Sequence, residues 1–471
     1  MALDGVEGQQ AGKPPGSAGG GGAGSAAAPG EASQAPAART IEADSTQNLM
    51  EAVVERQNLF AAYERVVGNK GCAGIDGMEV EELKPYLQAY WPSVREQLLA
   101  GTYQPKPVLR KAIPKPDGGT RNLGIPTVLD RLIQQALLQV LAPIFQPTFS
   151  RSSYAYQEGR SAHDAVRAAR RYVEEGFEWL VDIDVEKFFD RVNHDILMRL
   201  LAEQVKDKRV LKLIGRYLRA GVMVEGVVLS TAEGTPQGGP LSPLLSNVML
   251  DVLDKELERR GLRFCRYADD CNIYVRSKKA AQRVLESVKR FLGKKLKLKV
   301  NDKKSAAAKA HERRFLGFTI TAQTRIAMAA TTVVKLHQKV VEKTARNEGR
   351  ALKQVIKELN QYLLGWIGYF ALADAVEPMA SLDGWIRRRL RCAWWVQRKT
   401  RQKRQKALVK LGVSREAARH VAGSTRGPWR LSSTQQLHQA LNNRFFIEQG
   451  LVSLAREWEK TRQKWQLTGA R

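Results

Sequence analysis

FCRYADDCNIYVRS, residues 264–277, sets two adjacent aspartates inside a stretch with the composition of a strand. Phe264, Tyr267, Ile273, Tyr274 and Val275 suit a pleated, half-buried sheet, whereas Asp is disfavoured there and neighbouring carboxylates repel. Two readings account for Asp269 and Asp270. They form an exposed hairpin turn, where Asp is tolerated. Or they hold divalent cations, whose charge turns the repulsion into a binding site.

The second reading needs a further carboxylate, and VDIDVEKFFD (181–190) supplies candidates. It opens as a short apolar strand in which Asp182 and Asp184 share a face at period two, with Asp190 just beyond. A hairpin carrying Asp-Asp beside a strand ending in Asp gathers three hard oxygen ligands. That is the ligand set of Mg²⁺, which keeps waters and substrate phosphates in its other octahedral positions. Two such ions serve in-line nucleotidyl transfer.

Composition points the same way. The 471 residues hold 76 Lys+Arg against 48 Asp+Glu, a net charge of +28, with an ordinary apolar share of 43%. So basic a chain is expected to meet a polyanion, with nucleic acid favoured over an anionic membrane surface. No apolar run approaches the roughly 18–20 residues needed to span a bilayer, and no secretory signal is evident at the N-terminus. Cys72, Cys265, Cys271 and Cys392 form no C-x-x-C pair, which argues against a disulfide framework or a zinc ribbon. A cytoplasmic protein without membrane attachment is the expectation.

Along the chain, residues 1–46 are a Gly/Ala/Pro/Ser tail, including GSAGGGGAGSAAAPG, that cannot bury a core and is expected to be disordered. Residues 47–104 read as helical, beginning with one helix that ends near Gly68. The segment 105–126 reads as a hairpin around Lys115-Pro116-Asp117-Gly118-Gly119. The glycine-rich GNKGCAGIDG lacks the P-loop pattern. Mixed strands and helices run to about 325, and helices dominate thereafter. From Arg387 to Lys410 the chain has eleven Lys and Arg and no acid, interleaved with Trp394 and Trp395. Such a run is either a solvated face or a nucleic-acid surface, its cations on phosphates and its aromatics stacked on bases. The second is the better fit to an unbalanced charge.

Tyr267-Ala268-Asp269-Asp270 resembles the Y-x-D-D signature of reverse transcriptases. The order of blocks around it is similar to the group II intron-encoded reverse transcriptase/maturase family over roughly residues 50–460. These blocks are IPKPDGGTRNLGIPTVLDRLIQQAL, SYAYQEGRSAHDAV, VDIDVEKFFDRVNHD, GTPQGGPLSPLLSNVMLDVLD, RYADDCNIYV, LKLKVNDKKS and RRFLGF. YLLGWIGYF and GPWRLSSTQQLHQALNNRFFIEQGL look like its maturase region.

The resemblance implies an α+β right-hand polymerase. Its parts would be a helical finger extension (47–104), fingers and palm (105–325), an all-helical thumb/maturase domain (326–400) and a basic C-terminal region (401–471). It implies RNA-templated DNA synthesis with two Mg²⁺ ions on Asp184, Asp269 and Asp270. Asp184 is preferred to Asp182 because such palms place an aromatic residue five positions after the first Asp, here Phe189, beneath the incoming sugar. Lys115 and Arg121 match the fingers' triphosphate grip, Gln237 with Gly238 and Gly239 the template-side loop, and Lys304 a further nucleotide contact. FLGF (315–318) resembles the primer-grip strand.

For Arg387, Arg388, Arg389, Arg391, Trp394, Trp395, Arg398 and Lys399 the resemblance implies intron RNA as the partner, bound to assist splicing and retrohoming. DNA target, primer and dNTPs are the other implied partners. The paired cysteines of the family's C-terminal endonuclease are not found, so the primer is expected from elsewhere, such as a replication fork. The alternative reading is a domesticated enzyme acting outside an intron, in defence or DNA repair.

Overall fold

The computed structural model describes residues 46–114, 120–224, 227–229, 233–234, 238–345, 349–374 and 377–467. All but the last residue of the expected N-terminal tail therefore lies outside the described residues.

The first described elements are helical: α1 (Leu49–Val53), α2 (Arg56–Gly68) and α3 (Leu83–Leu99). The single helix expected up to Gly68 is broken at Glu55, whose backbone is extended at φ −62°, ψ 141°. The break lets Leu49, Met50 and Val53 enter the core on one side. Asn58 satisfies the interrupted backbone, donating from its amide to the carbonyls of Val53 (3.0 Å) and Ala136 (3.2 Å).

The hairpin follows as β1 (Val108–Pro114) and β2 (Thr120–Ile125), antiparallel from Leu109↔Ile125 to Pro114↔Thr120. Beyond Leu109, β1 is exposed, as befits a projecting finger. With β4 (Val222–Val224) and β5 (Val227–Leu229) these strands form a sheet of order β2-β1-β4-β5. Helix α4 (Val128–Phe145) runs behind it, started by the Thr127 hydroxyl, which accepts from the Asp130 N–H. Contrary to the expectation that no apolar stretch is long enough, among the described residues one helix, α4, is long and apolar enough to cross a membrane, at mean hydropathy 1.3 over Val128–Thr148. Here it is a core helix, with Leu132, Ile133, Ala136, Leu137 and Leu141 buried.

The second sheet carries the site. Its order is β6-β7-β3-β8, all antiparallel, from β3 (Trp179–Ile183), β6 (Arg263–Tyr267), β7 (Asp270–Val275) and β8 (Ala306–Lys309). Strand β3 is apolar on both faces because both are covered. Val181 and Ile183 enter the main core, while Leu180 joins Cys265 and Tyr274 against Ala168 and Ala169 of α5 (Ala162–Glu174). Helices α6 (His194–Gln204), α7 (Lys208–Arg219), α8 (Ser242–Arg259) and α9 (Lys278–Phe291) complete this region. Each buried Leu, Ile or Val here contributes roughly 1.5–3 kcal/mol.

A short ribbon, β9 (Phe318–Ile320) with β10 (Ile326–Met328), leads into helices. These are α10 (Ala330–Lys343), α11 (Leu352–Phe370), α12 (Glu377–Gln397), α13 (Arg401–Lys410), α14 (Arg415–Ala422), α15 (Pro428–Leu431), α16 (Gln435–Ala440), α17 (Asn443–Glu448) and α18 (Leu454–Leu467). One hydrophobic core runs through them from Leu336 to Trp458. The boundary expected at 400/401 is therefore not a boundary of packing: Leu408, Val413, Leu437 and Phe446 share a core with Trp366 and Leu390.

Helix α18 returns to the junction with the sheet domain. His163 of α5 lies 2.7 Å from the Tyr369 carbonyl, and its ring centroid is 5.3 Å from that of Trp465. Asp374 sits between Arg170 (3.8 Å) and Arg462 (3.7 Å).

Candidate active site and nucleic-acid surface

Strands β6 and β7 pair up to Tyr267↔Asp270, which leaves Ala268 and Asp269 as a two-residue loop. Ala268 has φ +55°, a left-handed conformation that such hairpin loops usually give to Gly. The adjacent aspartates are thus a turn, and the turn is not a plain surface one. The next strand over, β3, pairs Ile183 with Cys271, so Asp184 emerges beside Asp270. The Asp184 backbone is fixed, its N–H donating to Ser305 Oγ (2.9 Å) and its carbonyl accepting from the Asn301 N–H (2.8 Å).

Electrostatics registers the crowding. Burial pushes Asp270 up to about 6, with the charges of Asp269, Asp182 and Asp184 adding to the rise and Lys304 opposing it. Lys304 is exposed, its Nζ lying 3.8 Å from Asp184 Oδ2. Asp182 is handled differently. Arg313 donates to Asp182 Oδ2 from Nε (3.1 Å) and Nη2 (2.6 Å), and Nη2 also reaches the Lys304 carbonyl (2.7 Å). Burial raises the Asp182 pKa and the Arg313 fork pulls it back, leaving it above the usual carboxylate range.

Among the described residues no three His, Cys, Asp or Glu side chains are already drawn round one point at ligand distance. The donors nevertheless fit a divalent cation. They are hard carboxylate oxygens in surplus, their mutual repulsion is visible at Asp270, and a mobile-stemmed lysine is the cation beside Asp184.

Phe189 lies in a 3₁₀ turn (Phe188–Asp190) entered through Lys187 at φ +48°. It is partly buried, edge-to-face on the fully buried Phe188 at 5.2 Å. Gly234 (φ +95°) closes under the turn, where a Cβ would stand 2.9 Å from the Phe189 carbonyl. Lys115 and Gln237 lie outside the described residues, and Arg121 is described through its backbone, opposite Ile113 in the finger hairpin. Gly238 and Gly239 were expected to admit nucleic acid closely. The neighbours that require their small size belong to the protein itself: a Cβ would stand 2.5 Å from the Gly124 carbonyl and 2.3 Å from Gln134 Oε1, respectively.

The expected RNA-binding run needs correction. Trp394 and Trp395 are 2% and 1% exposed and belong to the helical core, so neither can stack on a base. Arg391 is buried and donates to the Leu441 carbonyl (3.0 Å). Arg388 lies over Trp429 (3.9 Å), Arg389 donates to Thr344 Oγ1 (3.1 Å), and Arg398 covers Trp394 (3.7 Å). These cations are built into the fold. Arg387 is partly buried and Lys399 exposed. The free charge lies further on, along α13, where Leu408 is buried while Arg401, Lys403, Lys406 and Lys410 are exposed.

Two features went unseen in the sequence, Arg313 and the buried pair Arg266–Asp254. Asp254 lies on the apolar side of α8, one residue after Leu253 and three before Leu257, all buried. A lone acid at that spacing is a signal for a buried cation elsewhere.

A reverse transcriptase (RNA-dependent DNA polymerase) family model matches residues 113–320, and a group II intron maturase-specific domain model matches residues 333–412. Protein YkfC of Escherichia coli is 31% identical over 295 residues, covering 54% of this chain and 77% of that one. Group II intron-encoded protein LtrA of Lactococcus lactis is 29% identical over 377 residues, covering 64% of this chain and 60% of its own. Among solved structures, a partial Cas6-RT-Cas1–Cas2 complex is similar at 25% identity and TM-score 0.35, covering 53% of this chain and 43% of that one.

The sheet, its carboxylate turn and the helices behind them define a reverse transcriptase, an RNA-directed DNA polymerase, followed by a maturase domain. The chain belongs to the family of group II intron-encoded reverse transcriptase/maturases.

Proposed function

We propose that Asp184, Asp269 and Asp270 hold two Mg²⁺ ions for RNA-templated DNA synthesis, and that the helical domain binds intron RNA to assist splicing and retrohoming. The observation that carries the first part is the adjacency of the Asp269-Asp270 turn to Asp184, with Asp270 pushed up to about 6 by burial and its neighbours. When bound, the ions would supply charge neutralisation at the transferring phosphoryl group and activation of the primer hydroxyl. The residues do the positioning. Asp184 is fixed from behind by Ser305 and Asn301. Lys304 balances the carboxylates before substrate enters and reaches a nucleotide phosphate afterwards. Phe189, wedged on Phe188, excludes a 2′-hydroxyl, and Lys115 and Arg121 grip the triphosphate from the finger hairpin.

For the second part, the exposed cations of α13 with Lys399 and Arg387 form the phosphate-binding surface, in place of the buried tryptophans. Purified protein should extend a DNA primer on an RNA template with dNTPs and Mg²⁺. Asp269→Ala should abolish extension while leaving binding of a group II intron RNA within about twofold, since the metal ligands act only on the transferring phosphoryl group. Extension that survives Asp269→Ala would sink the metal assignment.

A further inference from the structure

The carboxylate turn stands on a residue whose backbone conformation is costly for it. Ala268, at φ +55°, occupies the left-handed region where a Cβ crowds the backbone. Such a conformation persists only when its surroundings over-determine it. The hairpin ladder ends one residue earlier, at Tyr267↔Asp270, and does not itself fix the loop.

What fixes it is a buried guanidinium. Arg266 is 0% exposed, two residues before Ala268 on β6. Its Nη1 donates to the Ala268 carbonyl (3.0 Å) and to Asn247 Oδ1 (3.0 Å). Its Nε and Nη2 grip Asp254, at 2.8 and 2.9 Å from Nε and 2.5 Å from Nη2. Asn247 is anchored in turn, donating to the Ala155 carbonyl (2.9 Å). The Arg266 backbone is held as well, its N–H donating to the Ser152 carbonyl (2.8 Å) and its carbonyl accepting from the Tyr154 N–H (2.9 Å). Burial alone would lower the Arg266 pKa, but the Asp254 carboxylate outweighs it and keeps the guanidinium charged. Asp254 and Asn247 both belong to α8, so the bonds tie the turn to a rigid helix.

We propose that Arg266 is a positioning residue for nucleotidyl transfer: through the Ala268 carbonyl it clamps the left-handed turn and so fixes the direction in which Asp269 and Asp270 face Asp184. The peptide plane between Ala268 and Asp269 contains that carbonyl, so holding it sets the start of the Asp269 side chain. Arginine suits the place because its planar fork reaches three acceptors in different directions, which a lysine cannot do. The inference rests on Asp269 and Asp270 being the metal-holding pair.

The test replaces Arg266→Met together with Asp254→Leu, which leaves no lone buried charge and preserves apolar volume. In the full chain, hydrogen exchange of peptides spanning 264–277 reads the clamp without reference to catalysis. Steady-state primer extension reads its consequence. Exchange at the turn should quicken at least tenfold. The kcat should fall at least tenfold, with KM for the primer–template within twofold. Adding Ala268→Gly to the pair variant should recover at least threefold in kcat, because Gly adopts φ +55° unaided. A merely structural pair would lose activity in step with thermal stability and gain nothing from Gly, and that result overturns the proposal. Unchanged exchange at the turn overturns it too.

Should the pair variant not fold, Arg266→Lys serves. It keeps the charge for Asp254 but gives up the fork, so turn exchange and kcat should move in the same directions. Retention of both at the wild-type level refutes the clamp. Failure of the metal assignment would show separately, as extension by Asp269→Ala with the exchange result intact.

Discussion

Replacing Lys399, Arg401, Lys403, Lys406 and Lys410 together by Gln tests whether α13 is the RNA-gripping surface. All five are exposed, and none joins an ion pair among the described residues. Leu408 is the buried residue of α13, so the substitutions leave the core packing intact, and Gln is nearly as good a helix former as Lys or Arg. Thermal stability should hardly move. Every phosphate that is no longer neutralised reduces the slope of log K against log salt by roughly 0.7–0.9. At about 0.15 M salt this weakens binding roughly four- to sixfold per phosphate, so three phosphates together account for a factor on the order of a hundred. A filter-binding titration of a group II intron RNA from about 0.1 to 0.5 M salt measures both quantities. Arg391→Gln is the control. Its guanidinium is buried against the Leu441 carbonyl, so its removal should cost about 1–3 kcal/mol of stability and leave the salt slope alone. An α13 variant with an unchanged slope, or an Arg391 variant with a reduced slope and full stability, refutes the assignment of the surface.

Two further outcomes follow from the site and its support. Phe189→Val should admit ribonucleotides by emptying the space on Phe188 beneath the sugar, read as the ratio of kcat/KM for dNTP and rNTP; an unchanged ratio also weakens the choice of Asp184. On α8, burial pushes Asp251 up to about 6, with Asp254 adding and the Ser150 N–H, Lys255 and Arg266 opposing. That lies above the value of about 3.9 in an unfolded chain, so the carboxyl's stabilising contribution is complete below about pH 4 and lost as pH rises through 6. Asp251→Asn, which does not titrate, should therefore gain about 1 kcal/mol over the parent between pH 5 and pH 8. Denaturant midpoints at the two pH values check this, and an equal difference at both counts against it.

The polymerase architecture was legible because its signals are local. A short apolar run marks β3, and aromatic and β-branched residues mark β6 and β7. Two strand-like runs mark β1 and β2, the turn signal between them (115–119) lying outside the described residues. The basic run misled because charge and aromatic content say nothing of depth. Helix α12 is wrapped on several sides, so Trp394 and Trp395 both go inward although they are adjacent. Their neighbouring arginines follow them: Arg398 over Trp394 at 3.7 Å and Arg404 over Trp395 at 4.7 Å. The signal that could have placed them is Leu382, Ile386, Leu390 and Trp394, four positions apart and all buried. That stripe states a core face, and it outranks the charges around it.

Asp182 and Asp184 show a limit of a different kind. Asp182 lies on β3 and Asp184 just past its end, so they are equivalent by period, and beyond the spacing to Phe189 it is what stands opposite that separates them. Asp182 meets Arg313, a fixed fork with two bonds to one oxygen and a third to a neighbouring carbonyl, so its charge is committed within the protein. Asp184 meets Lys304, exposed and 3.8 Å away, on a flexible stem. A divalent cation can displace a loosely held ammonium far more easily than it can prise open a forked pair. The residues that decide the matter lie some 120 to 130 positions downstream. Sequence periodicity narrows the proposed ligand to two carboxylates, and the grounds for proposing Asp184 over Asp182 include the β3–β8 pairing and the loop beyond it.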